Sequence, residues 1–256
     1  MIYTDVHAHL DFPEYANDLN QVLEDCKVKG VKAIIVNGVH PESNRRILEL
    51  AKEHPIIKPA LGFYPTHIVE NKWEDVVAEL DFILHNKQKV AIGEVGLDYK
   101  EEIKTHHTLE EQRKIQKKAF EKIIEISEKT KKPLIIHSRK AELEVIEMIE
   151  SSTLKNPVFH CFMGKRKLVQ RIADNKWTFS VPVIAIKLQQ LQELIQYTNI
   201  NQLLTETDSP LLSPVLGERN TPANVALTIK KIAELKGFDE EETANTIFMN
   251  YQRLFL

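Results

Sequence analysis

Apolar positions along this 256-residue chain fall into two alternating rhythms. Short β-branched or apolar runs occur at residues 2–7, 31–38, 56–63 and 89–96, and again at 133–138, 157–162, 178–183 and 203–209. Runs of this length bounded by polar or turn residues predict eight strands. Between them apolar residues recur at helical spacing, most clearly over 109–130 and 141–152, with a closing pair from about 222 to 235 and after Phe238. Thr108 followed by Glu111 reads as a capping box that opens the helix at 109.

Strands that alternate with helices pair in parallel through crossover connections. Eight such units in 256 residues fit a (β/α)8 barrel of the TIM type, whose usual length is about 250 residues. A doubly wound open sheet is the competing arrangement. No low-complexity run or Gly/Ser linker divides the chain, so one domain is expected over residues 1–256.

Composition narrows the class. Apolar residues at 43% and charged residues at 28% describe a globular protein with a sizeable core. A formal net charge of −3 argues against a wide basic coat for nucleic acid. Cys26 and Cys161 are the two cysteines and cannot build a disulfide framework. No apolar stretch approaches the ~20 residues of a membrane helix, and no basic segment followed by an apolar run opens the chain. The expectation is a cytoplasmic protein with no membrane contact.

The chemistry begins in the first strand, where "TDVHAHLDF" spans residues 4–12. Alternation predicts Asp5, His7 and His9 on one face, and two imidazoles on one face can grip a metal ion. On its own that spacing is equally compatible with surface histidines. Further donors fall toward the ends of other strands: Glu94 in the fourth, His137 in the fifth, His160 in the sixth and Asp208 in the eighth. In a barrel these positions converge at the C-terminal mouth, where this fold carries its catalysis. In an open sheet they would spread along an edge. Six ligands suit two divalent ions sharing a bridging carboxylate, and Glu94 has two oxygens to offer. One ion would take His7, His9, Glu94 and Asp208, and the other Glu94, His137 and His160. Mixed ligation of this kind favours Zn²⁺, Mn²⁺, Co²⁺ or Fe²⁺ over Mg²⁺ by ligand softness.

The segments "DVHAHLDF", "AIGEVGLDY", "PLIIHSR", "FHCFMG", "LLTETDSP" and "NYQRLF" occur in this order across residues 5–255. On them the chain resembles the TatD family of metal-dependent deoxyribonucleases, within the amidohydrolase-like barrel superfamily. The resemblance implies a TIM-type barrel with a dinuclear centre at its mouth and 3′–5′ exonucleolytic hydrolysis of phosphodiester bonds by metal-activated water. It implies metal ligation by His7, His9, Glu94, His137, His160 and Asp208, with Asp208 also accepting the proton of the attacking water. The implied substrate is a DNA end or single-stranded DNA, with RNA left open. A superfamily hydrolase acting on a small phosphate ester, lactone or amide is the alternative, and a non-catalytic metal-binding protein the last.

Two departures bear on substrate preference. The family's "G-x-H-P" segment reads Gly62-Phe63-Tyr64-Pro65, with His67 three residues on, and Lys140 follows Arg139. Arg139, Arg219, Tyr64 and His67 are the candidate substrate contacts, the arginines through their bidentate fork. Each arginine reads equally well as a loop salt bridge. The run Lys165-Arg166-Lys167 opens a helix and reads as a solvated face.

Overall fold

The computed structural model describes residues 1–100 and 103–256. Eight strands form one parallel sheet in sequence order: β1 (Tyr3–Ala8), β2 (Val31–Asn37), β3 (Ile57–Leu61), β4 (Ala91–Asp98), β5 (Leu134–Arg139), β6 (Pro157–His160), β7 (Thr178–Pro182) and β8 (Leu203–Glu206). The sheet closes on itself. Ala8 bridges Ser209 in parallel, the His9 amide donates to Ser209 O at 2.7 Å, and the Asp208 amide donates to His7 O at 2.8 Å. The fold is a (β/α)8 barrel, and the open sheet is excluded.

Ten helices surround the strands among the described residues: α1 (Leu19–Lys29), α2 (Pro41–Glu53), α3 (Pro65–Glu70), α4 (Trp73–His85), α5 (Leu109–Thr130), α6 (Glu142–Glu150), α7 (Arg166–Asp174), α8 (Gln189–Tyr197), α9 (Val225–Lys236) and α10 (Glu240–Phe255). The capping box at Thr108 and Glu111 is formed as the sequence indicates, with both reciprocal bonds present. Asp239 caps α10 by accepting from the Glu241 and Glu242 amides. None of these helices is long and apolar enough to cross a membrane.

The barrel interior holds one apolar layer from seven strands: Val6, Ala33, Ile35, Ala60, Ala91, Ile135, Val158 and Leu204, with Tyr251 and Phe255 of α10 packed beneath. Side chains of a strand alternate between faces, so residues two further along point into the same lumen. Ile135 is followed by His137, Val158 by His160, and Leu204 by Glu206 and then Asp208. One barrel end is therefore apolar and sealed, and the other is polar.

Strict alternation fails in two strands. The register of β1 on β2 shifts between Asp5 and Ala8, and that of β4 on β5 shifts between Ile92 and Val95. Val6 joins the interior layer, yet His7 also turns inward. The Asp5 carboxylate does not share their face as alternation predicts. It accepts from the His7 amide at 3.1 Å, the Thr207 amide at 3.1 Å and the Thr207 hydroxyl at 2.5 Å. It thereby ties the start of β1 to the segment after β8. Strand ends differ as well: β4 runs on to Asp98, and Asp208 lies two residues beyond β8.

Candidate metal centre

Close backbone contacts set the position of Glu94. A Cβ on Gly62 would lie 2.3 Å from Gly93 C and 2.4 Å from the Glu94 nitrogen. Only glycine lets β3 press against that peptide. Gly96 has φ of 142°, and a Cβ there would meet His137 O at 2.0 Å. Both glycines bring the β4 backbone close to its neighbours, with Glu94 between them. Asp208 adopts a left-handed φ of 56°, a region aspartate enters more readily than most residues.

Four donor atoms from three segments come together. His7 Nε2 lies 3.1 Å from His9 Nε2, 3.3 Å from Glu94 Oε2 and 3.7 Å from Asp208 Oδ1. His9 Nε2 lies 3.5 Å from Glu94 Oε2 and 3.4 Å from Asp208 Oδ1. Metal–ligand bonds of about 2.0–2.2 Å put tetrahedral donors roughly 3.3–3.6 Å apart. His7, His9 and Glu94 lie close to those dimensions and could hold a cation, with Asp208 Oδ1 beside both histidines. The other Glu94 oxygen serves a second group. Oε1 lies 2.8 Å from His137 Nδ1 and 3.9 Å from His160 Nε2, and these three side chains could hold another ion.

The imidazoles are held in different ways. His9 Nδ1 donates to Asn37 O at 3.0 Å, which turns Nε2 toward the cluster. His7 Nδ1 is buried with no partner. His160 Nδ1 donates to Glu206 Oε2 at 2.8 Å, and His137 Nε2 donates to Asp98 Oδ2 at 3.1 Å. Both histidines of the second group are therefore backed by carboxylates. Glu206 is itself fastened by the Cys161 amide at 3.0 Å and by the Ser180 hydroxyl. Asp98 also accepts from the Tyr64 hydroxyl at 3.0 Å.

Charge within the cluster is mutually dependent. Burial opposes protonation of His9, but its bond to Asp208 and the charge of Glu94 outweigh burial and push its pKa up to about 9. Burial likewise opposes His160, and Glu206 drives it up to about 10. Burial would raise Glu94, yet the charge of His7 and bonds from His137 and His7 hold it well below the usual carboxylate range. Asp208 is lowered against burial by its bond from His9 and by the charges of His160 and His7. These carboxylates stay ionised only against neighbouring positive charge, which divalent cations supply directly.

The cavity above the cluster measures about 430 Å³. His9, Phe12, Tyr64, His67, Arg139 and Leu211 are among its lining residues. The structure brings Tyr64, His67 and Arg139 to the site and leaves Arg219 outside the lining. The Arg219 guanidinium binds Asp18 at 2.9 and 2.5 Å, bonds Glu14 O and lies 4.6 Å above the Tyr15 ring. His67 Nδ1 donates to Val39 O at 3.0 Å. Phe63, beside Tyr64, is fully buried. Asp98 and Glu206 were absent from the sequence-based donor set. Period two would have found both, four residues after Glu94 and two before Asp208.

Residues 4–256 match the family described as TatD related DNase. The chain is 32% identical to an uncharacterized metal-dependent hydrolase of Bacillus subtilis, YabD, over 98% of each chain. It is 28% identical to deoxyribonuclease TATDN3 of Homo sapiens, covering 98% of this chain and 93% of that one. Among solved structures, the TatD homolog YjjV from Escherichia coli aligns with a TM-score of 0.87 at 24% identity, covering 99% of this chain and 97% of the other. With the family match running from β1 to the last residue, this chain belongs to the TatD-related DNase family.

Proposed function

We propose that this metal-dependent hydrolase is a 3′–5′ exodeoxyribonuclease with two divalent cations at the barrel mouth. Family membership supports hydrolysis of ester bonds, and the deoxyribonuclease name of the human relative supports DNA as substrate. The observation that carries the two-cation reading is Glu94, whose two oxygens face two separate histidine groups. His7, His9, Glu94 and Asp208 would hold one cation, and Glu94, His137 and His160 would hold the other. Bound there, the cations would activate water and neutralise charge developing on the scissile phosphate.

The chain's own groups do the rest. Asp208, a carboxylate at the edge of the donor cluster, accepts the proton of the attacking water. Arg139 and Tyr64 line the cavity where the phosphate and the terminal nucleotide would sit. At about 430 Å³ the cavity lies toward the small end of ligand sites, which suits one terminal nucleotide and not a duplex. A frayed or single-stranded 3′ end is the form that reaches it.

The test uses 5′-labelled single- and double-stranded DNA with metal-stripped protein and Mg²⁺, Mn²⁺ or Zn²⁺ added in turn. Stepwise shortening from the 3′ end of the single strand is expected. No cleavage with any of these ions would overturn the reading. A second outcome follows from the carboxylate behind His160. Glu206→Gln should weaken the second cation by about 10–100-fold while the first stays tight, because outer partners of metal histidines carry effects of that size. Titration calorimetry that finds both affinities unchanged would remove Glu206 from this role.

A further inference from the structure

A long open groove runs between α5, α6 and α7 and joins the metal cavity, since Met163 and Glu142 line both. Its charges are segregated. Lys140 lies directly after β5, Lys165 caps α7 and Arg166 and Lys167 open it, while Arg113 and Lys117 lie on the second and third turns of α5. Glu121, Glu125, Glu128 and Glu147 line the groove further down α5 and α6.

Among the described residues, Glu144 and Glu142 at the mouth end each have a partner. Glu144 takes Lys117 at 2.9 Å and the Tyr99 hydroxyl at 2.9 Å, and Glu142 accepts from the Lys140 amide at 3.2 Å. Arg113 and Arg166 lie over the rings of Tyr99 and Tyr197 at 4.8 and 4.0 Å, and Arg113 is also within electrostatic reach of Glu144. Lys140, Lys165, Arg166 and Lys167 are all exposed. No carboxylate occupies the first turn of α7, so its three cations add to the positive end of that helix. A chain of net charge −3 thus presents a cationic rim beside its metal cavity.

We infer that this rim, from Arg113 through Lys140 to Lys165–Lys167, is the track for the phosphate backbone of single-stranded DNA leading to the cavity. The inference rests on the nuclease reading above and adds the path of the strand behind its 3′ end. The acidic lower groove repels a polyanion, so the strand crosses the helix tops and does not descend between α5 and α6.

The test measures binding of a fluorescent single-stranded 12-mer to the manganese-loaded protein over a range of salt. Phosphorothioate linkages keep the charge and resist cleavage. The double variant Lys165→Glu/Lys167→Glu should bind about tenfold or more weakly at low salt. Its slope of log affinity against log salt should be shallower by about 1.4, at roughly 0.7 per lost phosphate contact. Lys29→Glu/Lys52→Glu, at the far ends of α1 and α2, changes net charge equally and should bind as wild type does. Equal affinity and slope in wild type and rim variant would overturn the track, as would an equal loss in the control. Wild type that binds through the rim but cleaves no DNA would sink the nuclease reading and leave the rim standing. Wild type that cleaves DNA while the rim variant binds normally would sink the rim alone.

Discussion

Glu94→Ala is expected to abolish turnover and to lower cation content at both sites together. Its Oε2 lies 3.3 and 3.5 Å from the Nε2 atoms of His7 and His9, and its Oε1 lies 2.8 Å from His137 Nδ1. One carboxylate therefore contributes to both donor groups, and its loss removes negative charge from each. Loss of a single oxyanion-stabilising group commonly costs 10²–10³ in rate. Displacing both cations should cost about 10³ or more. The alanine variant also leaves buried histidines without their counter-charge, so folding is checked by circular dichroism. Glu94→Gln, which keeps the shape, should show the same loss of metal. Metal analysis that finds two tightly held ions per chain in either variant would contradict the bridging role.

Asp208→Asn should separate chemistry from binding. The amide keeps the volume and one oxygen, so the left-handed turn after β8 and the contact with His9 persist. It cannot accept a proton, and general-base assistance contributes about 10²–10⁴ in rate. The fall should appear in kcat, with folding intact and one cation weakened at most. The pH profile gives a second readout. A base must be ionised to act, so wild-type kcat falls as pH drops through the base's pKa. With Asp208 as that base, the acid limb present in wild type should vanish in the asparagine variant. Near-normal kcat in a fully metal-loaded variant would assign the proton to another acceptor.

Much of the molecule is legible from its sequence because two periods carry most of the information. Period two and period 3.6 place eight strands and the principal helices, and the number of strands in this length points to closure as a barrel. The six strand-end donors are visible for the same reason. Histidines and carboxylates at positions that would otherwise be buried and apolar are costly unless something pairs with them. Local chemistry also locates the start of α5, since Thr108 and Glu111 satisfy orphan amides without tertiary help.

What alternation cannot show is where it breaks. In β1 and β4 the register slips, and these slips turn His7, His9 and Glu94 into the lumen. A period-two reading assigns Asp5 to the same face as the histidines, whereas its carboxylate is spent on the Thr207 segment. Arg219 has a sequence neighbourhood suited to a phosphate contact, yet Asp18 lies within reach only after folding and takes the guanidinium. Tyr64, in place of a family histidine, gains its role from Asp98, 34 residues away, whose carboxylate it shares with His137. The sequence by itself determined the strands, the helices and the types of donor available at one barrel end. Which oxygen meets which imidazole was decided by tertiary structure, because glycine contacts and strand slippage act between segments far apart in the chain.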